Sequence, residues 1–193
     1  VAALRRIWPD CAVYAPVDPR AGERTHSVRE GDQLTVAGEF ELQVMELPGH
    51  TRSHVGYYGG GALFCGDTMF SLGCGRRFEG SAEEFLASLD RLAALPASTR
   101  VYCTHEYTLS NARFALAIDA DNAALQTRIR AAADQRAAGQ PTLPSLMAEE
   151  LACNPFLRVD APAIQTALAT RGDVAATRAG RFAALRAWKD VYA

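Results

Sequence analysis

The chain has 193 residues, of which 49% are hydrophobic and 22% charged, with a formal net charge of -2 and an isoelectric point near 6.1. That length can bury a sizeable core as one domain or two small ones. Near-neutral charge excludes a global field for nucleic acid or an anionic membrane surface, and no apolar run is long enough to span a bilayer.

The N-terminus does not read as a secretory signal, because its arginines lead into a stretch broken at Pro9, Pro16 and Pro19. Cys11, Cys65, Cys74, Cys103 and Cys153 are odd in number and form no CxxC, a reduced pattern that fits a cytoplasmic protein. All five are expected to be small buried hydrophobes without chemistry.

In chain order, Val1, Leu4 and Trp8 stand at helical spacing with no capping residue before them. The chain is therefore expected to open inside a helix already under way, as a piece of a longer protein. CAVYAP reads as a short buried strand. Leu34–Val36 and Phe40–Val44 alternate about Ala37-Gly38-Glu39, predicting a hairpin with Phe40, Leu42 and Val44 on one face. VGYY and ALFC follow, joined by three glycines.

Ser81 and Glu84 form a capping-box pattern, after which Phe85, Leu86, Leu89, Leu92 and Ala93 make one helical face. Pro96 stops that helix and RVYC resumes a strand, which implies a crossover between parallel strands. From Asn111 onward Ala-rich helical segments replace β-branched alternation, so residues 1–110 and 111–193 are read as two domains. A helix is expected from Asn122 to Ala138 closed by Gly139, another capped by Ser145, and a third from Asp173 to Tyr192 with Phe182, Leu185, Trp188 and Tyr192 on one side.

Three strand ends each carry a potential metal ligand in the loop just beyond: His50 after ELQVMELPG, Asp67 after ALFCG, and His105 after RVYCT. Imidazole nitrogen and carboxylate oxygen suit a borderline divalent ion, and one carboxylate can bridge two ions. Each residue also has a bland reading, as a solvated loop histidine or a turn aspartate, and spacing alone leaves both open. His54, four residues past His50, is expected to support the ligands by hydrogen bonding. His26 is expected to face solvent without function.

The segments LPGHTRSHVGYY, LFCGDTMF, GCGRRFEGS, VYCTHEYTLSNARFA and LPSLMAEELACNPFLRV occur in this order. Together they resemble glyoxalase II, the hydroxyacylglutathione hydrolases of the metallo-β-lactamase superfamily. The resemblance implies an α/β protein with an αββα sandwich and a C-terminal helical, glutathione-binding domain. It implies two divalent ions, zinc with iron or manganese as alternatives, held by His50, by Asp67 as the bridging ligand, and by His105. It also implies glutathione contacts at Arg76, Phe78, Tyr107, Arg186 and Lys189. The last two are i, i+3 neighbours that one helix face can offer to a carboxylate.

The implied chemistry is hydrolysis of S-lactoylglutathione to lactate and glutathione by a hydroxide between the ions, in a monomer with no nucleic-acid or membrane partner. Phe78 stands where some members have tyrosine and cannot donate a hydrogen bond. The family's T-H-x-H-x-D-H run is absent from this chain, so each ion is left with one histidine and a share of Asp67. The chain as given is therefore expected to hold metal poorly and to have little activity. A persulfide dioxygenase on the same scaffold, or a non-catalytic glutathione binder, are the alternatives; the long helical part with Arg186 and Lys189 favours the hydrolase.

Overall fold

A computed structural model describes residues 1–192. The sheet forms where alternation predicts it. Strand β3 (Gln33–Val36) and β4 (Phe40–Glu46) pair antiparallel, Leu34 opposite Leu42 and Val36 opposite Phe40. Strands β5 (Val55–Gly59) and β6 (Ala62–Gly66) continue the meander, joined through Gly60 and Gly61, both in the left-handed region that glycine adopts without penalty.

Helix α2 (Ala82–Ala93) carries the full reciprocal capping box of Ser81 and Glu84. It returns the chain to β9 (Arg100–Cys103), which pairs parallel with β6, as the crossover requires. A two-residue strand, β10 (Ser145–Leu146), completes a six-stranded sheet in the order β10-β9-β6-β5-β4-β3. Two small pairs lie outside it: β1 (Tyr14–Ala15) with β2 (His26–Ser27), and the hairpin β7 (Met69–Phe70) with β8 (Gly73–Cys74).

The helices are α1 (Ala2–Ile7), α2, α3 (Thr108–Ile118), α4 (Ala123–Ala137), α5 (Met147–Cys153), α6 (Pro162–Thr170) and α7 (Arg178–Val191). Met45, Leu63, Cys65 and Val101 form one face of the sheet and share a single core with Phe85, Leu89 and Leu92 of α2, Phe114 of α3 and Phe182 and Leu185 of α7. Phe85 and Phe182, both fully buried, meet edge to face at 5.5 Å between centroids. On the opposite face Leu42 and Val44 pack with Val28 and Leu34, while Phe64 stacks on Tyr102 and stays 40% exposed.

Several expectations are corrected. The predicted buried strand at CAVYAP shrinks to Tyr14–Ala15, which is only half-buried, because its partner β2 also has just two residues. Phe40 shares its face with Leu42 and Val44 but sits beside the turn of the hairpin, opposite Val36, and is 40% exposed. Ser145 does not cap a helix: it is a strand residue paired with Val101, and α5 starts one position later, after Leu146. Helix α6, with Pro162 in its first turn, was not foreseen, and α7 begins at Arg178 behind a Thr177 cap rather than at Asp173. Cys11 is exposed and Cys103 half-buried, while Cys65, Cys74 and Cys153 are buried as expected; all five are free thiols. Among the described residues no helix is long and apolar enough to cross a membrane.

Candidate metal centre

The sheet aims three loops at one place. His50 lies in the turn between β4 and β5, Asp67 follows β6, and His105 follows β9. Parallel β6 and β9 are neighbours, so their C-terminal ends emerge side by side, and β5 brings the His50 turn alongside. Gly49 makes this turn possible: its φ is +149°, and a Cβ there would lie 2.3 Å from the Phe85 ring.

Asp67 sits between the two histidines. Its Oδ2 is 3.8 Å from His50 Nε2 and its Oδ1 is 3.4 Å from His105 Nε2. Each imidazole therefore faces a different oxygen of one carboxylate. His50 Nδ1 is 2.9 Å from the Arg76 carbonyl oxygen. A carbonyl can only accept, so Nδ1 carries the proton and Nε2 keeps its lone pair toward Asp67.

His54 lies beneath. Its Nε2 accepts the Asp67 backbone N–H at 3.0 Å, which leaves Nδ1 to donate to Thr68 Oγ1 at 3.1 Å. Burial, reinforced by the neighbouring His50, holds its pKa down at about 4, so it is a neutral support. Gly66, with φ +54°, lets the backbone pass over that ring: a Cβ would stand 2.5 Å from it. Thr104, which the sequence did not single out, donates from Oγ1 to Asp67 Oδ1 at 2.7 Å.

The loops are fastened from the other side as well. Asp18 accepts hydrogen bonds from Ser53 and Arg20, and Glu79 accepts from Arg20 and from the Arg52 N–H at 2.7 Å. Arg20 and Ser53 hold the Asp18 carboxyl well below the usual carboxylate range.

His105 stacks on Tyr107 with centroids 4.9 Å apart, and Phe70 closes against both. The exposed Phe78 ring is 5.0 Å from His50. Phe70, Arg76 and Tyr107 line both the cleft at the metal-ligand candidates and an adjoining cavity of about 360 Å³, whose far wall is Arg186, Lys189 and Asp190. Arg76 is exposed and approaches Asp190 at 3.6 Å. Lys189 lies with Nζ 5.4 Å from the Phe114 ring centroid, and burial, then Arg186, lower its pKa.

Arg186 behaves differently from its i+3 neighbour. It is 6% exposed, and its guanidinium donates to the Cys74 carbonyl at 2.8 Å and pairs with Asp190 at 3.2 Å. The expectation of two free cations side by side thus becomes one available cation, Lys189, over an arginine already engaged. Asp190 is a second residue missed by sequence reasoning, since nothing in its spacing separates it from an ordinary helix-end acid. His26 is exposed, as expected, and pairs in β2 with Tyr14, on whose ring it stacks.

The donor set fits a pair of divalent ions in kind, and in placement on the His105 side. Two donors on one ion at bonds of about 2.0–2.2 Å and near-tetrahedral angles stand roughly 3.3–3.6 Å apart. The His105–Asp67 separation matches and the His50–Asp67 separation is slightly wider. The set is short in number: among the described residues no three His, Cys, Asp or Glu side chains surround a single ion position.

Comparison with known proteins agrees in every part of the chain. The metallo-beta-lactamase superfamily model matches residues 2–105, and the model for the hydroxyacylglutathione hydrolase C-terminus matches residues 106–192. A hydroxyacylglutathione hydrolase of Xanthomonas axonopodis pv. citri is 50% identical over 193 residues, covering 100% of this chain and 75% of its own. One from Xylella fastidiosa (strain M12) is 51% identical over 191 residues, covering 98% and 74%. Among solved structures, ETHE1 from Myxococcus xanthus superposes with a TM-score of 0.57 at 25% identity, over 87% of this chain and 70% of that one. The BLEG-1 B3 metallo-beta-lactamase gives 0.54 at 22% identity, over 80% and 68%.

Proposed function

This chain belongs to the hydroxyacylglutathione hydrolases of the metallo-β-lactamase superfamily, and from that premise we propose that it cleaves the thioester of S-(2-hydroxyacyl)glutathione, such as S-lactoylglutathione, to the 2-hydroxy acid and glutathione. The observation that carries the reading is the Asp67 carboxylate with a different imidazole on each oxygen, opening directly into a cavity walled by cations. His50, Asp67 and His105 would hold two divalent ions there, with Asp67 shared. Bound in this way, the ions supply Lewis acidity toward the acyl carbonyl and lower the pKa of water.

The chain's own residues do the rest. His50 is oriented by the Arg76 carbonyl so that Nε2 is free to ligate. His54 and Thr104 fix Asp67 through its backbone and one carboxylate oxygen. Phe70, Phe78 and Tyr107 line the cleft at His50, Asp67 and His105 with aromatic surface. Glutathione carries two carboxylates and an ammonium at neutral pH; Lys189 and Arg76 suit the former and Asp190 the latter. A thiolate leaves readily, so no strong general acid is required of the protein. We place the protein in the cytoplasm, in line with its five free cysteines, and propose that it acts as a monomer.

Two protein donors per ion fall short of the three typical of catalytic zinc. The 193-residue chain alone is therefore expected to bind zinc weakly and turn over slowly. The test is to count bound zinc and assay S-lactoylglutathione hydrolysis, with and without the family's T-H-x-H-x-D-H segment joined at the N-terminus. Thioester cleavage appearing with the joined segment, and lost in Asp67→Ala, supports the reading. Zinc loading without any cleavage refutes it.

A further inference from the structure

The hairpin β7–β8 is held in an unusual way. Met69 to Gly75 runs directly from the Asp67 loop, and its backbone is gripped by side chains from three different helices. Asn154 Nδ2 on the C-terminal side of α5 donates to the Phe70 and Gly73 carbonyls at 3.2 and 2.9 Å. Asn111 of α3 donates to the Ser71 carbonyl at 3.0 Å. The Leu72 N–H donates to Glu150 Oε2 at 2.9 Å, and the same oxygen accepts from Asn154 at 3.0 Å. Arg186 of α7 takes the Cys74 carbonyl at 2.8 Å and reaches Gly75 at 3.4 Å.

All four gripping side chains are buried: Glu150 is 1% exposed, Asn154 0%, Asn111 6% and Arg186 6%. A buried carboxyl and two buried carboxamides are expensive unless each is satisfied. Here their bonds converge on one short hairpin. What they hold is also strained, because Leu72 has φ +60°, a left-handed conformation that a leucine adopts only when its surroundings impose it.

The hairpin delivers its far end to the metal-ligand candidates. A Cβ on Gly75 would lie 2.0 Å from the Asp67 carbonyl oxygen and 3.1 Å from His50 Nδ1, so the backbone passes tightly against both. The next residue, Arg76, supplies the carbonyl that accepts from His50 Nδ1. Phe70, at the near end, packs on His105.

We propose that Glu150, Asn154 and Arg186 are positioning residues for His50 and Asp67, acting through the hairpin β7–β8. None touches the reacting atoms; together they set the Arg76 carbonyl that selects the Nδ1–H form of His50. For the role of His50 as a ligand the inference rests on the function proposed above. Its direct consequence, the His50 tautomer, does not.

The test is the tautomer of His50 in the metal-free chain, read from long-range nitrogen–proton correlations of the imidazole above its titration range. The unaltered chain is expected to show the Nδ1–H form. Glu150→Ala is expected to lose it to a mixture with Nε2–H, and Glu150→Gln, which keeps an acceptor for Leu72, to retain it. Zinc affinity should fall about 10–100-fold in the alanine variant and change far less in the glutamine variant. Should Glu150→Ala fail to fold, Arg186→Lys carries the test: it keeps the charge but not the guanidinium that reaches the Cys74 and Gly75 carbonyls through Nη1 while Nη2 pairs with Asp190, and is expected to show the same mixture. Folded variants whose His50 resonances match those of the parent overturn the inference while leaving the thioesterase reading intact. A shifted tautomer in a protein that never cleaves thioester upholds the inference about position and removes the reading.

Discussion

Replacing Glu150 by glutamine should make the protein progressively more stable than the parent as pH rises from 4. The Glu150 side chain is 1% exposed, and burial raises its pKa against the lowering effect of the Leu72 N–H, Ser145 and Asn154. Its Oε2 accepts from the Leu72 N–H and from Asn154 but Oε1 has no hydrogen-bond partner, so ionisation would leave a buried charge only partly compensated. A carboxyl whose folded pKa exceeds its unfolded value of about 4.3 stabilises the fold fully below that pH. The contribution is lost as pH climbs toward the folded value, by up to about 1.4 kcal/mol per pH unit. Glutamine has no proton to lose and its carboxamide oxygen can still accept from Leu72. Urea unfolding at pH 4, 5, 6 and 7 should therefore give two curves that nearly meet at pH 4 and diverge above it in favour of the variant. Parallel curves across this range would mean that Glu150 titrates in the fold as it does in the unfolded chain, and would refute the reasoning.

Gly49→Ala should destabilise the fold by roughly 3 kcal/mol in urea unfolding, since the new Cβ would sit 2.3 Å from the buried Phe85 ring at a backbone angle that disfavours side chains. Phe85→Ala, which empties a fully buried position against Phe182, should cost about 3–5 kcal/mol by the same measurement. Thr104→Val removes the hydroxyl 2.7 Å from Asp67 Oδ1 without changing side-chain shape; zinc affinity should drop about tenfold or more while the urea midpoint moves little. An unchanged affinity would show that Asp67 does not need that partner.

The regular parts of the fold were legible because local signals agreed with the final packing. Ser81 and Glu84 announce α2 by a capping box that satisfies its own backbone, and Leu42 and Val44 alternate because their face of β4 packs on Val28 and Leu34. The same reading singled out His50, Asp67 and His105, each in the loop after a readable strand. What sequence could not show was who holds them. Thr104 and Asp190 look like any loop threonine and helix-end acid until neighbouring loops fold over them. Glu150 lies in MAEELAC, where a run of acids suggests a solvated face; only the docking of α5 on the hairpin turns it inward. Ser145 misled because a serine before a helical pattern suits either a cap or a strand end, and the edge of β9 claimed it.

The most direct test of the central claim is anomalous diffraction from crystals of the chain soaked in zinc at high concentration, recorded on both sides of the zinc absorption edge. The account predicts two peaks flanking the Asp67 carboxylate, one against His50 Nε2 and the other against His105 Nε2. Saturating zinc with no anomalous peak at any of these three residues would contradict it.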